Sequence, residues 1–145
     1  MYTILKTIVF ICVASCAVTC WALEGPQVVG SMVLRRLAVV TTLPDYPSAS
    51  FSNGVQGLVV VAVICDRDAN VSGADILQSP DEATAAATIA AVKRWKFRRE
   101  LVQQGSSRRS VTGRLLFYFR IVNGKPMVID GGGEIMKAKV EQYDK

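Results

Sequence analysis

Leu58-Val-Val-Val-Ala-Val-Ile-Cys65 is an unbroken apolar run, closed by Asp66. Its β-branched density and short length mark a strand rather than a helix. The two-residue period places Val59, Val61, Val63 and Cys65 on one face, and Leu58, Val60, Ala62 and Ile64 on the other. A strand apolar on both faces is usually covered on both. Residues Val33–Val40 upstream, or a second copy of the domain, are the candidate covers.

Working outward, Asp66-Arg-Asp-Ala-Asn70 turns the chain into a weaker strand over Val71–Gln78, centred on Ile76 and Leu77. Ser79-Pro80-Asp81-Glu82 is a helix start, with Ser79 as cap, Pro80 at the first helical position and Glu82 completing a capping box. The helix is expected to reach Arg94, with Ala85, Thr88, Ile89, Val92 and Trp95 along one face. Lys93, Arg94 and Lys96 stand at its carboxyl end, where the helix dipole favours cations. After the turn at Gln103–Ser107, a third strand runs over Ser110–Val122. Leu115, Phe117, Phe119 and Ile121 alternate onto one face, and Arg114, Leu116, Tyr118 and Arg120 onto the other. Asn123-Gly124 is a hairpin signal, and Met127–Asp130 is expected to return as a short strand on the edge of the third. The fold class is α+β: a small antiparallel sheet in β-β-α-β order with one helix packed on one face.

The amino terminus reads as a targeting segment. Lys6 precedes an uncharged stretch, Thr7–Leu23, too short for a comfortable span and suited to a signal-peptide core. Cleavage after Ala22 fits the small residues Cys20 and Ala22; Val13-Ala-Ser-Cys16 resembles a bacterial lipobox, which would put a lipid on Cys16; an uncleaved anchor is the third fate. All three export the domain. The expected organisation is residues 1–22 as signal or anchor, 23–43 as an arm, 44–130 as the folded domain and 131–145 as a loose tail.

Composition narrows the chemistry. The 145 residues include no His, which removes the commonest nucleophilic triads, His-ligated zinc and the usual general base. No catalytic residue, cofactor or metal site is expected, and the chain is read as not an enzyme. Asp66, Asp68, Asn70 and Ser72 imitate half a calcium loop, but Val71 and Leu77 replace the Gly and Glu it needs. Gly131-Gly-Gly133 lacks the Lys-Ser/Thr ending of a phosphate loop. Cys65 is the only cysteine after the targeting segment, so no internal disulfide is available to the mature chain. The net charge of +5 is concentrated between Lys93 and Arg120, against the single acid Glu100. That stretch reads as a solvated face; an anionic-polymer binder is the alternative, with nucleic acid excluded as a partner by export. Trp95-Lys96-Phe97 reads as core packing on an extended helix exit.

The pieces Pro44-Asp-Tyr-Pro47, Gly57-Leu-Val-Val-Val61, the Asp68 turn with Val71, Ala91-Val-Lys-Arg-Trp-Lys-Phe97, Gly105 and Phe117-Tyr-Phe-Arg-Ile121 occur in one order. Over Leu43–Val122 that set resembles the carboxyl-terminal domain of TonB, the periplasmic energy transducer of bacterial outer-membrane import. Ala69 and Arg99 stand where that family commonly has Gly and Pro. The resemblance implies a location in the periplasm or cell envelope and a last strand with an open edge. A short extended segment of an outer-membrane receptor, the TonB box, would add to that edge as a further strand. The implied partner-binding residues are Tyr46, Pro47, Thr112, Arg114, Leu116, Phe117, Tyr118, Phe119, Arg120 and Ile121. The alternative is a non-transducing periplasmic adaptor, or a homodimerising structural module, on the same fold.

Overall fold

A computed structural model describes residues 25–131. The expected signal or anchor at 1–22, the lipidation candidate Cys16 and the tail beyond residue 131 lie outside the described residues. In chain order the elements are β1 (Gln27–Val29), α1 (Ser31–Leu37), β2 (Ala38–Val40), α2 (Ser48–Ser52), β3 (Gly57–Cys65), β4 (Val71–Gln78), α3 (Glu82–Val92) and β5 (Lys96–Phe97). A 3-10 turn (Arg99–Leu101), β6 (Gln103–Gln104), β7 (Ser107–Arg108), β8 (Val111–Val122) and β9 (Lys125–Asp130) follow.

The main sheet has the order β1-β8-β3-β4, with β9 also paired to β8. The α+β class stands, with a sheet larger than the β-β-α-β core and mixed rather than purely antiparallel, because β1 joins β8 in parallel. The antiparallel core is β4-β3-β8. Val59 faces Phe117, Val61 faces Leu115, Val63 faces Gly113 and Cys65 faces Val111, all on one side of the sheet. Every one of these side chains is buried, beneath α1, α3 and Trp95. The opposite side presents Leu58, Val60, Ala62 and Ile64 of β3 beside Leu116 and Tyr118 of β8, all half-buried.

Val33–Val40 therefore does not cover the second face of β3. Its first half is helical, because Leu34-Arg-Arg-Leu37 favours helix over strand, and Leu34 is fully buried against β8 on the same side as α3. Gly113 makes that approach possible: a β-carbon there would stand 2.6 Å from Leu34 Cδ1 and 2.8 Å from the Val29 carbonyl.

The cap of α3 is Asp81, not Ser79. Asp81 Oδ1 accepts the Thr84 N–H at 2.8 Å and its Oδ2 accepts the Ser50 hydroxyl at 2.5 Å, while the Ser79 hydroxyl donates to the Asp81 carbonyl at 2.6 Å. A carboxylate can accept from two donors at once, which a serine hydroxyl does less well, so the helix begins two residues later than the sequence suggests. Its buried stripe is Thr84, Thr88, Ala91 and Val92, continued by Trp95. The buried Thr88 hydroxyl is satisfied by the Thr84 carbonyl at 2.8 Å.

Trp95 and Phe97 both pack in the core. The Trp95 ring meets Phe117 edge-on at 6.1 Å, and its N–H donates to the Thr42 carbonyl at 2.9 Å. The Asp66–Asn70 segment is a hairpin turn in which Asp66 Oδ1 accepts the Asp68 and Asn70 N–H groups at 2.8 and 3.0 Å. Ala69 closes that turn at φ 65°, the conformation glycine would take more easily. Cys65 is a buried free thiol, with burial and then Asp66 pushing its pKa up to about 11.

Candidate partner-binding edge

β8 is the longest strand among the described residues and lies inside the sheet, between β3 on one edge and β1 and β9 on the other. One edge pairs with β3 from Val111 to Phe119. Beyond the end of β3, the Gln56 side-chain oxygen accepts the Ile121 N–H at 2.7 Å and extends that pairing by one bond.

The other edge is the one the resemblance implies to be open. It is occupied in two pieces. β1 runs parallel to it, with Gln27, Val28 and Val29 opposite Val111, Thr112 and Gly113. The Gln27 N–H donates to the Ser110 carbonyl at 2.9 Å. β9 runs antiparallel to the far half, from Val122 opposite Lys125 to Phe117 opposite Asp130. Between the two pieces, the Leu116 carbonyl accepts the Gly131 N–H at 2.7 Å and Arg35 Nη2 at 3.2 Å. Arg35 Nη1 forms an ion pair there with Asp130 Oδ1. Burial lowers the Arg35 guanidinium to about 10, still above neutrality, so the guanidinium is charged at physiological pH.

Each implied site residue has a definite place. Thr112, Arg114, Leu116, Tyr118 and Arg120 put their side chains on the open face of the sheet. Phe117 and Phe119 point into the core with no exposed surface, so a guest could use only their backbone. Ile121 is half-buried near the end of β8. Tyr46 packs edge-on against Phe119 at 5.3 Å and Phe51 at 6.1 Å, and its hydroxyl donates to the Val55 carbonyl. Pro47 caps α2. Tyr46 thus braces the core side of the sheet near the Phe119 end.

Sequence reasoning did not find Gln27–Val29, Arg35, Asp130 or Gln56. The one available signal was Arg35 and Arg36 interrupting an apolar run, where a charge invites a buried partner. Among the described residues no group of three or more His, Cys, Asp or Glu could hold a metal ion. The basic stretch is divided between surfaces: Lys93 and Arg94 follow α3 on the covered side, while Arg114 and Arg120 lie on the open face. Arg108 is drawn to Asp68 at 3.1 Å, an exposed pair worth little.

A mixed sheet of this order, with helices on one face and a central strand flanked by short pieces, defines a small α+β domain. The family model described as Gram-negative bacterial TonB protein C-terminal matches residues 42–121, more than half of the chain, and the chain belongs to that family. That family is one of transport-associated domains, and membership implies a cell-envelope location. Among solved structures, the solution NMR structure of the Pseudomonas aeruginosa TonB carboxyl-terminal domain is similar at 21% identity, with a TM-score of 0.49 over 58% of this chain and 84% of that one. No curated protein matches the chain.

Proposed function

We propose that this chain is a cell-envelope binding module that pairs the edge of β8 with an extended segment of an outer-membrane receptor, in energy-dependent transport. One observation carries the reading. Both occupants of that edge, β1 and β9, lie outside residues 42–121, the span that matches the family. Within the matched span, β8 pairs only with β3 and its other ladder of donors and acceptors belongs to nothing. The flanking segments fill it, as an unpaired edge invites. A guest strand would then bind by exchange with a resident piece.

Backbone pairing would supply affinity, and alternate guest side chains would meet the open face at Thr112, Arg114, Leu116, Tyr118 and Arg120. The test is titration of the full chain with peptides from receptor plug segments. Binding is expected, and N-methylation of alternate guest residues on the pairing edge should abolish it. A folded chain that ignores every such peptide would reject the reading.

A second reading, a dimerising structural module, is favoured by the uncovered face around Val60, Ile64 and Leu116. Sedimentation separates the two: a tight dimer indifferent to receptor peptides supports the second.

A further inference from the structure

We propose that the end of the sheet where β8 begins docks the domain on an anionic lipid bilayer. This goes beyond the receptor-pairing reading and does not depend on it.

The fold collects charge at that end. β3 and β4 meet there through the Asp66–Asn70 turn, beside the first residues of β8. α3 starts at the far end, where Asp81 meets Ser50, and its exit reaches the turn. Lys96 pairs with Asn70 as a single β-bridge, and its Nζ donates to the Asn70 side-chain oxygen at 3.2 Å. From Lys96 the chain loops back to Ser110, tied on the way by Arg108 to Asp68 at 3.1 Å. Two segments, residues 66–70 and 93–110, therefore share one end. They hold eight Lys or Arg and three acids, a surplus equal to the formal +5 of the whole chain, so the other residues balance. Arg67, Lys93, Arg94, Lys96, Arg98 and Arg99 are exposed. The acids facing them are Asp66, engaged by the N–H groups of its own loop, Asp68, paired with Arg108, and exposed Glu100. A field this lopsided orients a molecule against an anionic surface.

Two features make that surface a bilayer rather than a dissolved polyanion. Val39 and Val40, 63% and 45% exposed, lie on β2, the strand paired with Lys96 and Phe97. Aliphatic side chains beside cations gain from the headgroup boundary and gain little from a soluble anion. The second feature is the route of the chain. The Gln27 N–H donates to the Ser110 carbonyl, so the amino-terminal segment joins the domain at the basic end. The uncharged stretch Thr7–Leu23 stops four positions before Gln27, at most about 14 Å of extended chain. An amino terminus held in a membrane would set these cations near the reach of about 8–10 Å over which charges act at physiological salt.

The test is sedimentation of the full chain with phosphatidylcholine vesicles, with and without phosphatidylglycerol at about a third of the lipid. The ratio of the two partition constants cancels what the apolar amino-terminal stretch contributes to both. At low salt the ratio should reach at least about thirtyfold, and it should collapse toward unity above about 0.5 M salt. Lys93→Gln, Arg94→Gln, Lys96→Gln and Arg98→Gln together should cut it at least about tenfold. Lys96→Gln and Lys125→Gln each remove one charge, from opposite ends of the sheet. The first alone should lower the ratio by about threefold and the second should leave it unchanged.

A ratio near unity at low salt would overturn the inference, as would equal losses from Lys96→Gln and Lys125→Gln. Binding to soluble polyphosphate as tight, per phosphate, as to the anionic vesicles would overturn it too. Both single variants sit at exposed positions, so the test stands even where the fourfold variant does not fold. No receptor peptide is used, so failure of the receptor assignment leaves this result standing, and the reverse also holds.

Discussion

The two faces of the sheet share strands yet live under different rules. On the covered side, Val59, Val61, Val63, Leu115 and Phe117 are sealed beneath Leu34, Val92 and Trp95. On the open side, Leu58, Val60, Ala62 and Ile64 stand half-buried beside Thr112, Leu116 and Tyr118, with Arg114 exposed among them. Hydrophobicity along β3 is the same on both sides; only the helices make the difference. A uniformly apolar strand shows that both faces tolerate burial, not that both are buried within one chain.

The sharpest way to break the comparison is to empty the covered side. Trp95→Ala removes the largest buried ring and its bond to Thr42, and should cost about 3–5 kcal/mol in urea unfolding. Gly113→Ala tests the opposite fault, overpacking. The new methyl would meet Leu34 and the Val29 carbonyl, so a loss of about 1–3 kcal/mol is expected, with faster amide exchange at Val29.

Asp81→Ala is a smaller disturbance, at the start of the helix that covers the sheet. Loss of the cap should cost about 1 kcal/mol. Burial pushes the Asp81 carboxyl up, but hydrogen bonds from Ser50 and Thr84 outweigh it and hold the group below its ordinary value. A lowered carboxyl stabilises fully above its unfolded value, near about 4, and that contribution fades as pH falls through the folded value. The native chain should therefore lose more stability than Asp81→Asn between about pH 6 and pH 3, as read from urea midpoints. Smallest of all, Val60→Thr on the open side should change the unfolding free energy in urea by less than about 0.5 kcal/mol. A large loss there would mean that this face is covered in solution.

The long alternating strands were legible because their patterns run for many residues. Leu115, Phe117 and Phe119 all face the core, as their spacing requires, and Trp95 and Phe97 follow them inward. The fold class and the helix between the second and third core strands follow from the same reasoning. What stayed hidden depends on short pieces and distant partners. Three residues at Gln27–Val29 carry no period from which a parallel pairing could be read. The helix at Ser31–Leu37 is obscured by the valines around it, and only its contact with Gly113 fixes its place. Arg35 and Asp130 come from opposite ends of the described chain, and nothing in either neighbourhood names the other. The implied binding edge was likewise readable as a strand, while its residents were only half visible: the return strand was expected and β1 was not.

The strand at the middle of the sheet is the last long one among the described residues. Until Val111–Val122 is available, β3 and β4 form a two-stranded ribbon with one flank of β3 bare, and α1 has no Gly113 to rest on. Two-stranded ribbons are marginal in water. In a chain delivered amino end first, β3 and β4 must therefore wait for Val111–Val122 before their sheet is complete. Speed of arrival, more than the strength of any single contact, would decide how much of it reaches the native state.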